Sequence, residues 1–557
     1  MLALPATPGQ TFELGWKATE GAAVVTADRE PLYVQCSSGS LGSHISGWGR
    51  SVLASRPEGA KLRRVLFAIA AAARSARPRA LCAVSILSAL TFVVPATAQA
   101  QPYPYTLVEP GTFGGPQSFL DLPAVPLTPQ GTLLGAADTS TLDADYPNFN
   151  PLIGPNPYVA HAFEWRGGRL RDLGALPGNN TSSVFEVNGA GVGVGASEAT
   201  VDDPFTGSPA EHAVMYVNGE VRDLGTLPGG YESQANDIND RGQVSGFASN
   251  GTADPYALLP WGTQSRSFIW QHGVMRDIGT LGGPDAVSTT LNARGQIAGQ
   301  SYINSTANPA TGVPTLDPFL WQNGRMRDLG TLGGTMGVAN WLNDAGEVVG
   351  SSSLAGDHTT HPFLWKNGTM RDLGTLGGDK GAANWVNARG DVAGDSRTAD
   401  QNFNGFLWRD GTMIDLPPVG GAAQSFAIAV NDRDQVVGKG TDADFNEMAA
   451  VLWASGRAYD LNTLVAPSAL QMTSAFYINA QGDIVGHGVL PDGSQRVFLL
   501  TPNGSVPLPR APTSARPLPT TGLRDGGTPA LTLALHGPNH RGAAATVGRQ
   551  LVLSQSR

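Results

Sequence analysis

The chain has 557 residues, of which only 15% are charged, and it contains 71 glycines and 40 prolines. It carries 36 basic against 46 acidic residues, a formal net charge of −10. Because phosphate binding relies on clustered lysine and arginine, this balance argues against a nucleic-acid partner. The many glycines between short apolar runs favour an all-β, turn-rich fold.

Residues 61–100 have the features of a secretory signal peptide. Basic residues from Lys61 to Arg79 precede an apolar run from Leu81 to Val94, and Ala98 and Ala100 close the segment with small side chains. We expect cleavage near Ala100 and a mature chain that is secreted, either extracellular or periplasmic. The apolar run is shorter than the roughly 20 residues of a spanning helix, so we expect no transmembrane anchor in the mature chain. A buried apolar helix of a cytoplasmic protein is the alternative.

The segment before the signal, residues 1–60, shows no periodic pattern. We expect it to be unstructured or to lie upstream of the true start codon. Cys36 and Cys82 both precede the predicted cleavage site. The mature chain would therefore have no disulfide and no cysteine-ligated metal.

A repeat fills residues 101–504. Each copy has an aromatic strand, a turn, an Asp-Leu-Gly strand, a Gly-rich corner and an Asn-x-x-Gly hairpin, and residues 319–350 are the clearest copy. Trp321 and Trp365 are 44 residues apart, and Trp408 follows after another 43. This period matches a four-stranded propeller blade. The turn Asn323-Gly324 is a strong signal for a two-residue hairpin. The hairpin asparagines are Asn188, Asn239, Asn292, Asn343, Asn387, Asn431 and Asn479.

The two ends of the repeat region carry complementary halves of one copy. Gly111–Gly115 and Gln130–Gly135 form a second half, whereas Val497–Gly504 forms a first half. Pairing of the two halves would remove an exposed sheet edge. We therefore predict a β-propeller of about eight four-stranded units, with seven possible, closed by its N- and C-terminal half-repeats. A capped solenoid is the alternative, and residues 505–557, rich in Pro, Gly and Thr, are expected to be disordered.

The triplets His161-Ala162-Phe163 and His212-Ala213-Val214, with the Asp-Leu-Gly-Thr-Leu-Gly-Gly core, resemble the bacterial HAF extracellular repeat family. The resemblance covers about Tyr105 to Leu500 and implies export and a repeat fold, without catalytic residues to transfer. The histidine is replaced in other copies, as at Asn404, so we do not expect it to be a shared ligand.

Motifs with specific chemistry are absent from the repeat region. Gly330–Gly334 lacks the Lys-Ser/Thr of a phosphate loop, and no nucleophile or zinc motif is found. In the repeated Arg-Asp pairs, such as Arg371-Asp372, we expect Asp to bond nearby groups and Arg to face solvent, with a functional ring of charges as the alternative. Two stretches match the first half of a calcium loop but lack the distal Glu, so a plain loop is the simpler interpretation; their oxygen-bearing residues are Asp400, Asn402, Asn404, Asp442, Asp444 and Asn446.

The loops of the first four units are longer than the others. From the terminal Gly of a hairpin to the next aromatic strand there are 19 to 28 residues in these units and 12 or 13 in the later ones. Insertions in repeat proteins map to one face, often the binding face. The candidate binding residues, which combine aromatic rings with carboxylates, are Asp143, Asp145, Tyr146, Tyr158, Asp202, Asp203, Tyr256, Trp261 and Tyr302.

The sequence thus favours a monomeric, secreted binding scaffold for an extracellular carbohydrate or protein, without a cofactor. An extracellular hydrolase or lyase on the same scaffold is the alternative, since propellers support both. Acidic side chains converging in the central funnel would favour the enzyme.

Overall fold

The structure is a computed structural model, and it describes residues 22–27, 30–35, 103–120, 125–148, 150, 156–178, 181–309, 311–504 and 506–509. The chain divides into two compact units, residues 1–101 and 102–557. In the first unit a hairpin pairs β1 (Ala22–Ala27) with β2 (Glu30–Gln35), which the sequence did not lead us to predict. The predicted signal peptide and its cleavage site lie outside the described residues.

The second unit is an all-β propeller made of four-stranded antiparallel sheets, which we number as blades 1 to 8 in chain order. Blade 1 contains β4 (Gly114–Phe119), β5 (Leu133–Leu142), β6 (Tyr158–Arg166) and β7 (Arg169–Gly174). Blade 2 contains β8 (Ser182–Val187), β9 (Gly193–Asp202), β10 (Pro209–Val217) and β11 (Glu220–Gly225). Blade 3 contains β12 (Ser233–Ile238), β13 (Val244–Ala253), β14 (Thr263–Gln271) and β15 (Val274–Asp277).

The next three blades are joined into one sheet by the single parallel bridges Leu316–Met336 and Thr360–Lys380. Blade 4 contains β16 (Ala286–Leu291), β17 (Ile297–Ala307), β18 (Pro314–Gln322) and β19 (Arg325–Asp328). Blade 5 contains β20 (Gly333–Leu342), β21 (Val348–Leu354), β22 (Thr360–Lys366) and β23 (Thr369–Asp372). Blade 6 contains β24 (Gly377–Val386), β25 (Val392–Thr398), β26 (Phe403–Arg409) and β27 (Thr412–Leu416).

The last two blades complete the propeller. Blade 7 contains β28 (Gln424–Val430), β29 (Val436–Thr441), β30 (Glu447–Ala454) and β31 (Arg457–Asp460), followed by a short 3₁₀ turn at Leu461–Thr463. Blade 8 contains β32 (Gln471–Ile478), β33 (Ile484–Val489), β34 (Gln495–Pro502) and, from the start of the repeat region, β3 (Tyr105–Val108). The eight units and their four strands agree with the sequence-based prediction.

Both ends of the repeat region meet in blade 8, as the complementary half-repeats predict. Strand β3 pairs antiparallel with β34, with Thr106 opposite Thr501 and Val108 opposite Leu499. Blade 8 also packs on blade 1, where the Val497 amide donates to Ser118 Oγ at 2.9 Å. The boundaries of a blade differ from those of the sequence repeat. Each blade starts at the strand before the Asn hairpin and ends at the Asp-Leu strand, two strands out of phase with the repeat as we defined it.

In blades 2 to 7 the hairpin asparagine links the blade to the next one. In Asn387, Oδ1 accepts hydrogen bonds from the amides of Arg389 and Asp391, which fixes the hairpin. Its Nδ2 donates to the backbone carbonyl of Asn431 in the following blade at 3.1 Å. The same inter-blade bond, between 2.9 and 3.2 Å, is donated by Asn188, Asn239, Asn292, Asn343 and Asn431. The motif therefore forms both the turn and the contact between blades.

In six of the eight blades a phenylalanine two residues before the signature tryptophan, or before its equivalent, is fully buried. Phe268 is fully buried in the third strand of blade 3, and its ring lies against Gly246 of the second strand. A Cβ on Gly246 would lie 2.7 Å from Phe268 Cζ, so this position requires glycine. Equivalent buried phenylalanines are Phe163, Phe319, Phe363, Phe406 and Phe498.

Arginines of the Arg-Asp pairs extend across the same interfaces. The guanidinium carbon of Arg371 in blade 5 lies 4.8 Å from the centre of the Trp408 ring in blade 6. Arg222 and Arg327 make the same contact with Trp270 and Trp365 at 5.4 and 5.1 Å. These arginines therefore stack on the next blade, where we had expected them only to face solvent.

Candidate binding surface and buried carboxyl groups

The connections between second and third strands share one edge of the sheets with the connections between blades, because the strands alternate in direction. We call this edge the loop face. In blades 1 to 4 the second strands have 10 or 11 residues, against 6 or 7 in the later blades. The insertions predicted from loop length thus extend these strands beyond the common height of the repeat.

The long loops of blades 1 and 2 contact each other. Asn148 Nδ2 donates to the Gly207 carbonyl at 3.1 Å. Asn150 Nδ2 donates to Glu232 Oε2 in the connection from blade 2 to blade 3 at 2.9 Å. The blade 1 loop is therefore hydrogen-bonded both to the blade 2 loop and to the connection that leads into blade 3.

Exposed apolar side chains concentrate on this surface. Among the described residues, seven large hydrophobic side chains are strongly exposed, and five of these lie on the loop face of blades 1 to 3. Their exposed fractions range from 38% to 66%. Large exposed apolar side chains are unusual when they cluster, and clusters mark interaction sites. We call this group the apolar patch; it consists of Leu142, Tyr146, Val201, Phe205 and Tyr231.

The predicted binding residues fall into three groups by exposure. Asp145, Tyr146 and Asp202 are exposed on the loop face, and Asp143, Tyr158 and Tyr256 are partly buried. Three others are buried. They are Trp261, Tyr302 and Asp203. Trp261 and Tyr302 pack with Phe247, Leu258, Leu259 and Leu316 in a hydrophobic cluster beneath the loops. The exposed members of the set are those next to the apolar patch.

Several of the loop aspartates shape the loops themselves. Asp203 Oδ1 accepts a hydrogen bond from the Phe205 amide at 2.8 Å, and Asp143 Oδ1 accepts one from the Asp145 amide at 3.0 Å. Asp254 makes the same bond to the Tyr256 amide at 2.8 Å. Such turns hold the backbone of each loop in a defined conformation. The bond from Asp203 thereby positions the exposed Phe205.

A group of buried carboxyls lies under the apolar patch, and no sequence motif pointed to it. Glu232 is fully buried, and its Oε2 accepts from the Glu211 amide at 2.8 Å and from Asn150. Its Oε1 has no hydrogen-bond partner among the described residues. Burial raises the pKa of Glu232 to about 9, and the charges of Glu211 and Asp203 act in the same direction. The carboxyl is therefore protonated at neutral pH.

The carboxyl groups of Asp254 in blade 3 and Asp285 at the start of blade 4 form a pair between these blades. Asp285 is fully buried, and its Oδ1 accepts from the Ser265 amide at 2.6 Å. Burial raises the pKa of Asp285 to about 8, and the neighbouring Asp254 carboxyl acts in the same direction. In blade 4, burial and the adjacent Asp328 raise the pKa of Asp317 to about 7. These pairs hold protons that ordinary aspartates release.

Two acids on the innermost strands bear on the choice between a binding protein and an enzyme. Asp237 and Glu186 are both buried. Asp237 Oδ2 accepts from the Leu291 amide at 2.7 Å and from Thr290 Oγ1 at 3.2 Å, so it links blades 3 and 4. Glu186 Oε2 accepts from the Val125 amide at 2.6 Å. Burial raises the pKa of Asp237 to about 7 and that of Glu186 well above its usual range.

The opposite part of the innermost strands is aromatic. The rings of Trp341 and Trp385 stack with centroids 3.7 Å apart, and Trp385 meets Tyr477 edge-on at 6.0 Å. The acids expected of a catalytic funnel are thus buried and engaged in hydrogen bonds with neighbouring segments. This arrangement favours a structural role for Glu186 and Asp237.

The histidines of the repeat triplet pair with the repeated aspartates. His361 Nδ1 lies 2.9 Å from Asp372, and the Gly374 amide donates to the same carboxylate at 2.8 Å. His161 and His212 make equivalent pairs with Asp172 and Asp223. Burial raises the pKa of Asp372, but the bonds from His361 and the Gly374 amide outweigh it and bring the pKa below its usual value. Elsewhere Arg266 or Asn404 takes the place of histidine, which explains why the triplet varies.

The two stretches considered for calcium are hairpin loops, and in the second of them the first aspartate is engaged within its own loop. Asp442 accepts from the amides of Asp444 and Asn446 and from Asn446 Nδ2, each at 2.9 Å. In the loop at Asp400, the Arg397 guanidinium donates to Gln401 Oε1 at 3.3 Å. Among the residues that the structure describes, no three His, Cys, Asp or Glu side chains are grouped as a metal site would need. Within those same residues, no helix has the length and apolar character to cross a membrane.

Fold and surface together define a β-propeller with one decorated face. No family model matches the chain, and no curated protein sequence does. Solved structures that it resembles include TolB from Acinetobacter baumannii, at 11% identity and a TM-score of 0.29, covering 66% of this chain and 80% of that one. A gluconolactonase from Xanthomonas campestris has 10% identity and a TM-score of 0.24 over 42% of this chain and 78% of its own. A putative glucose dehydrogenase from Thermus thermophilus has 13% identity and a TM-score of 0.27 over 71% and 99%.

Proposed function

We propose that this protein is an exported binding propeller whose ligand docks on the loop face of blades 1 to 3. The observation that carries the proposal is the concentration, in the apolar patch, of five of the seven strongly exposed large hydrophobic side chains of the described residues. Exposing these side chains to water stabilises nothing by itself, whereas a partner that covers them would bury their apolar area.

The composition of the patch favours a protein as the ligand. Leu142 and Val201 are aliphatic, and they contribute apolar area without the flat face on which a sugar ring stacks. Tyr146 and Phe205 add the aromatic anchors that are enriched in protein interfaces. Exposed Asp145 and Asp202 at the margin would form a polar, acidic rim. A partner with an apolar centre and basic periphery fits this surface.

Site-specific photocrosslinking in the native host tests the proposal. A photoreactive phenylalanine analogue replaces Tyr146 or Phe205, and the matched control carries it at Val274, which is equally exposed on a turn at the opposite edge of blade 3. We expect one discrete crosslinked protein from both patch positions and none from Val274. Equal crosslinking from all three positions, or none from any, contradicts a docking site on the loop face. If immobilised glycans retain the wild type but not the Tyr146→Ser variant, the ligand of the loop face is a carbohydrate and not a protein.

Export and family membership are parts of the same proposal. The basic and apolar segments of residues 61–100 and the small residues before Gln101 support cleavage by a signal peptidase. The recurrent triplet and Asp-Leu-Gly core support membership of the HAF repeat family. Mass spectrometry of periplasmic and culture-supernatant fractions should find a species that begins at Gln101. A cytoplasmic species retaining residues 1–100 contradicts export.

A further inference from the structure

Lys380 is a buried lysine whose ammonium group has no hydrogen-bond partner among the described residues. It lies on the innermost strand of blade 6, where its backbone bridges to Thr360 of blade 5. The residue is 7% exposed, and Nζ makes no hydrogen bond in the described part of the chain. Burying a charged ammonium group without a partner costs free energy. A buried lysine therefore normally pairs with an anionic group or loses its proton.

Arg397 places a second unsatisfied cation beside it. Arg397 Nε is also buried without a hydrogen-bond partner among the described residues. The rest of this side chain is held in place: Nη1 donates to Asp379 Oδ1 and Gln401 Oε1, both at 3.3 Å, and the guanidinium stacks on Phe403 at 5.1 Å. The guanidinium therefore cannot turn its Nε towards another acceptor without losing these contacts.

The two cations repel each other across the site. Burial and then the charge of Arg397 lower the pKa of Lys380 to about 8, although Asp379 acts in the opposite direction. Asp379 is a single carboxylate, and Arg397 already occupies it through an ion pair. The cluster of Lys380, Arg397 and Asp379 thus keeps a net positive charge and two donor nitrogens without a hydrogen-bond partner among the described residues.

These groups match the chemistry of a small anion. Among the described buried side-chain atoms that lack a partner, Lys380 Nζ and Arg397 Nε are the two cationic donors, and their residues lie on the paired strands β24 and β25. One anion can accept hydrogen bonds from both and offset their repulsion. The shielding of Nζ from solvent limits the ligand to a small size. We infer that Lys380 and Arg397 bind one small monovalent anion, of the size of chloride, at the boundary of blades 5 and 6.

This site is independent of the loop-face proposal, because it lies on a different arc of the propeller and binds a different kind of ligand. Its effect would be on the junction of blades 5 and 6. Lys380 is on the strand that bridges them. An anion that binds the folded chain and not the unfolded one stabilises the folded state by mass action. This stabilisation can be measured in solution as a change in Tm.

Crystals of the full chain grown in bromide give the direct test, since bromide substitutes for chloride and has a distinctive anomalous signal. The expected result is an anomalous peak within hydrogen-bonding distance of both Lys380 Nζ and Arg397 Nε. A water molecule in that position, without anomalous signal, overturns the inference. So does a bromide bound at surface positions only.

Thermal unfolding in sodium chloride and in sodium gluconate at equal ionic strength gives the second test. Gluconate is too large for the site. Relative to gluconate, chloride should therefore raise the Tm of the wild type by about 3 °C and leave the Tm of the Lys380→Met variant unchanged. Lys366→Met is the matched control, because Lys366 is an exposed lysine of blade 5 paired with Glu347, and this variant should keep the full chloride effect. A chloride effect that persists in Lys380→Met overturns the inference, as does its absence from the wild type. If Lys380→Met fails to fold, Arg397→Met takes its place with the same expectations.

Discussion

The side-chain amide of Asn343 in blade 5 donates to the backbone carbonyl of Asn387 in blade 6, 2.9 Å away. The same side chain donates to Glu347 and accepts from the Glu347 amide at 3.0 Å. One buried residue thus closes its own hairpin and connects two blades.

Replacement of Asn343 by alanine should therefore cost more than the loss of a turn. The Glu347 amide would lose its partner in a buried environment, and the Asn387 carbonyl would keep only its bond from the Gly390 amide, so we expect a loss of about 1–3 kcal/mol in the free energy of unfolding. Denaturant titration of Asn343→Ala against Thr369→Ala, at an exposed position of the same blade, measures it. A loss of less than about 0.5 kcal/mol in the asparagine variant would show that the inter-blade bond is dispensable.

The stacking of Arg371 on Trp408 should be measurable as a coupling between blades 5 and 6. The charged group lies 4.8 Å from the centre of a largely buried ring, where such contacts contribute about 0.5–2 kcal/mol. A double-mutant cycle with Arg371→Met and Trp408→Leu isolates this contribution, because leucine has no aromatic face. In a control cycle, Arg325→Met takes the place of Arg371→Met, because it removes the same charge at an exposed position of blade 4. Arg325→Met and the Trp408 substitution should be additive. Strict additivity of Arg371→Met and Trp408→Leu would contradict the contact.

Buried carboxyls predict the pH dependence of stability. The folded pKa is about 9 for Glu232, about 8 for Asp285, and about 7 for Asp237 and Asp317, against about 4 in an unfolded chain. A group whose folded pKa is raised stabilises the fold fully below its unfolded pKa and loses this contribution as the pH rises through its folded pKa. We expect Tm to fall from pH 5 to pH 9.

The isosteric Glu232→Gln variant tests the largest of these contributions. Glutamine has no proton to lose, so the Tm of this variant should fall less steeply between pH 5 and pH 9 than that of the wild type. Asp145→Asn, on the exposed rim of the loop face, should follow the wild-type profile. Parallel profiles for Glu232→Gln and the wild type would contradict a protonated Glu232.

The pairing of β3 with β34 can be tested with a disulfide. Thr106 and Thr501 lie opposite each other, and the repeat region has no native cysteine. Cysteines at both positions should crosslink under oxidation and raise Tm, because the bridge restricts the unfolded chain. Peptide mapping separates this bridge from any involving Cys36 or Cys82. Cysteines at Thr106 and Leu500, one residue out of register, should stay reduced, since adjacent strand residues point to opposite faces. Crosslinking of the second pair alone would contradict the register.

Much of the architecture could be predicted because the repeat is local. The Trp321-to-Trp365 spacing and the Asn323-Gly324 turn are short-range signals, and they indicated the strand types and the number of blades. The phase of the blades could not be predicted, because a circular repeat has no natural starting point in sequence. The function of Asn343 was only half predicted. Its turn is local, whereas its bond to Asn387 depends on a neighbour 44 residues away.

The candidate site was harder to predict than the fold. Loop length located the loop face, but it did not distinguish exposed Tyr146 from buried Trp261, since both are aromatic residues in long insertions. Burial depends on what the loop folds back upon, and Trp261 packs on Phe247 and Tyr302. Glu232 gave no signal either, because a single glutamate acquires its raised pKa only from tertiary burial.

The position of β3 predicts an order of events during folding. Its partner β34 is separated from it by nearly the whole repeat region, and the contact between Asn503 and Tyr103 spans 400 residues. Each interior blade can form as soon as its own four strands have been made, because its pairings are local. Blade 8 must wait for the end of the chain to return to the beginning, and contacts of such long range are slow to form. We therefore expect the last kinetic step to be the capture of one short strand, and until that step blade 8 would present β34 as an unpaired edge open to strands of other chains.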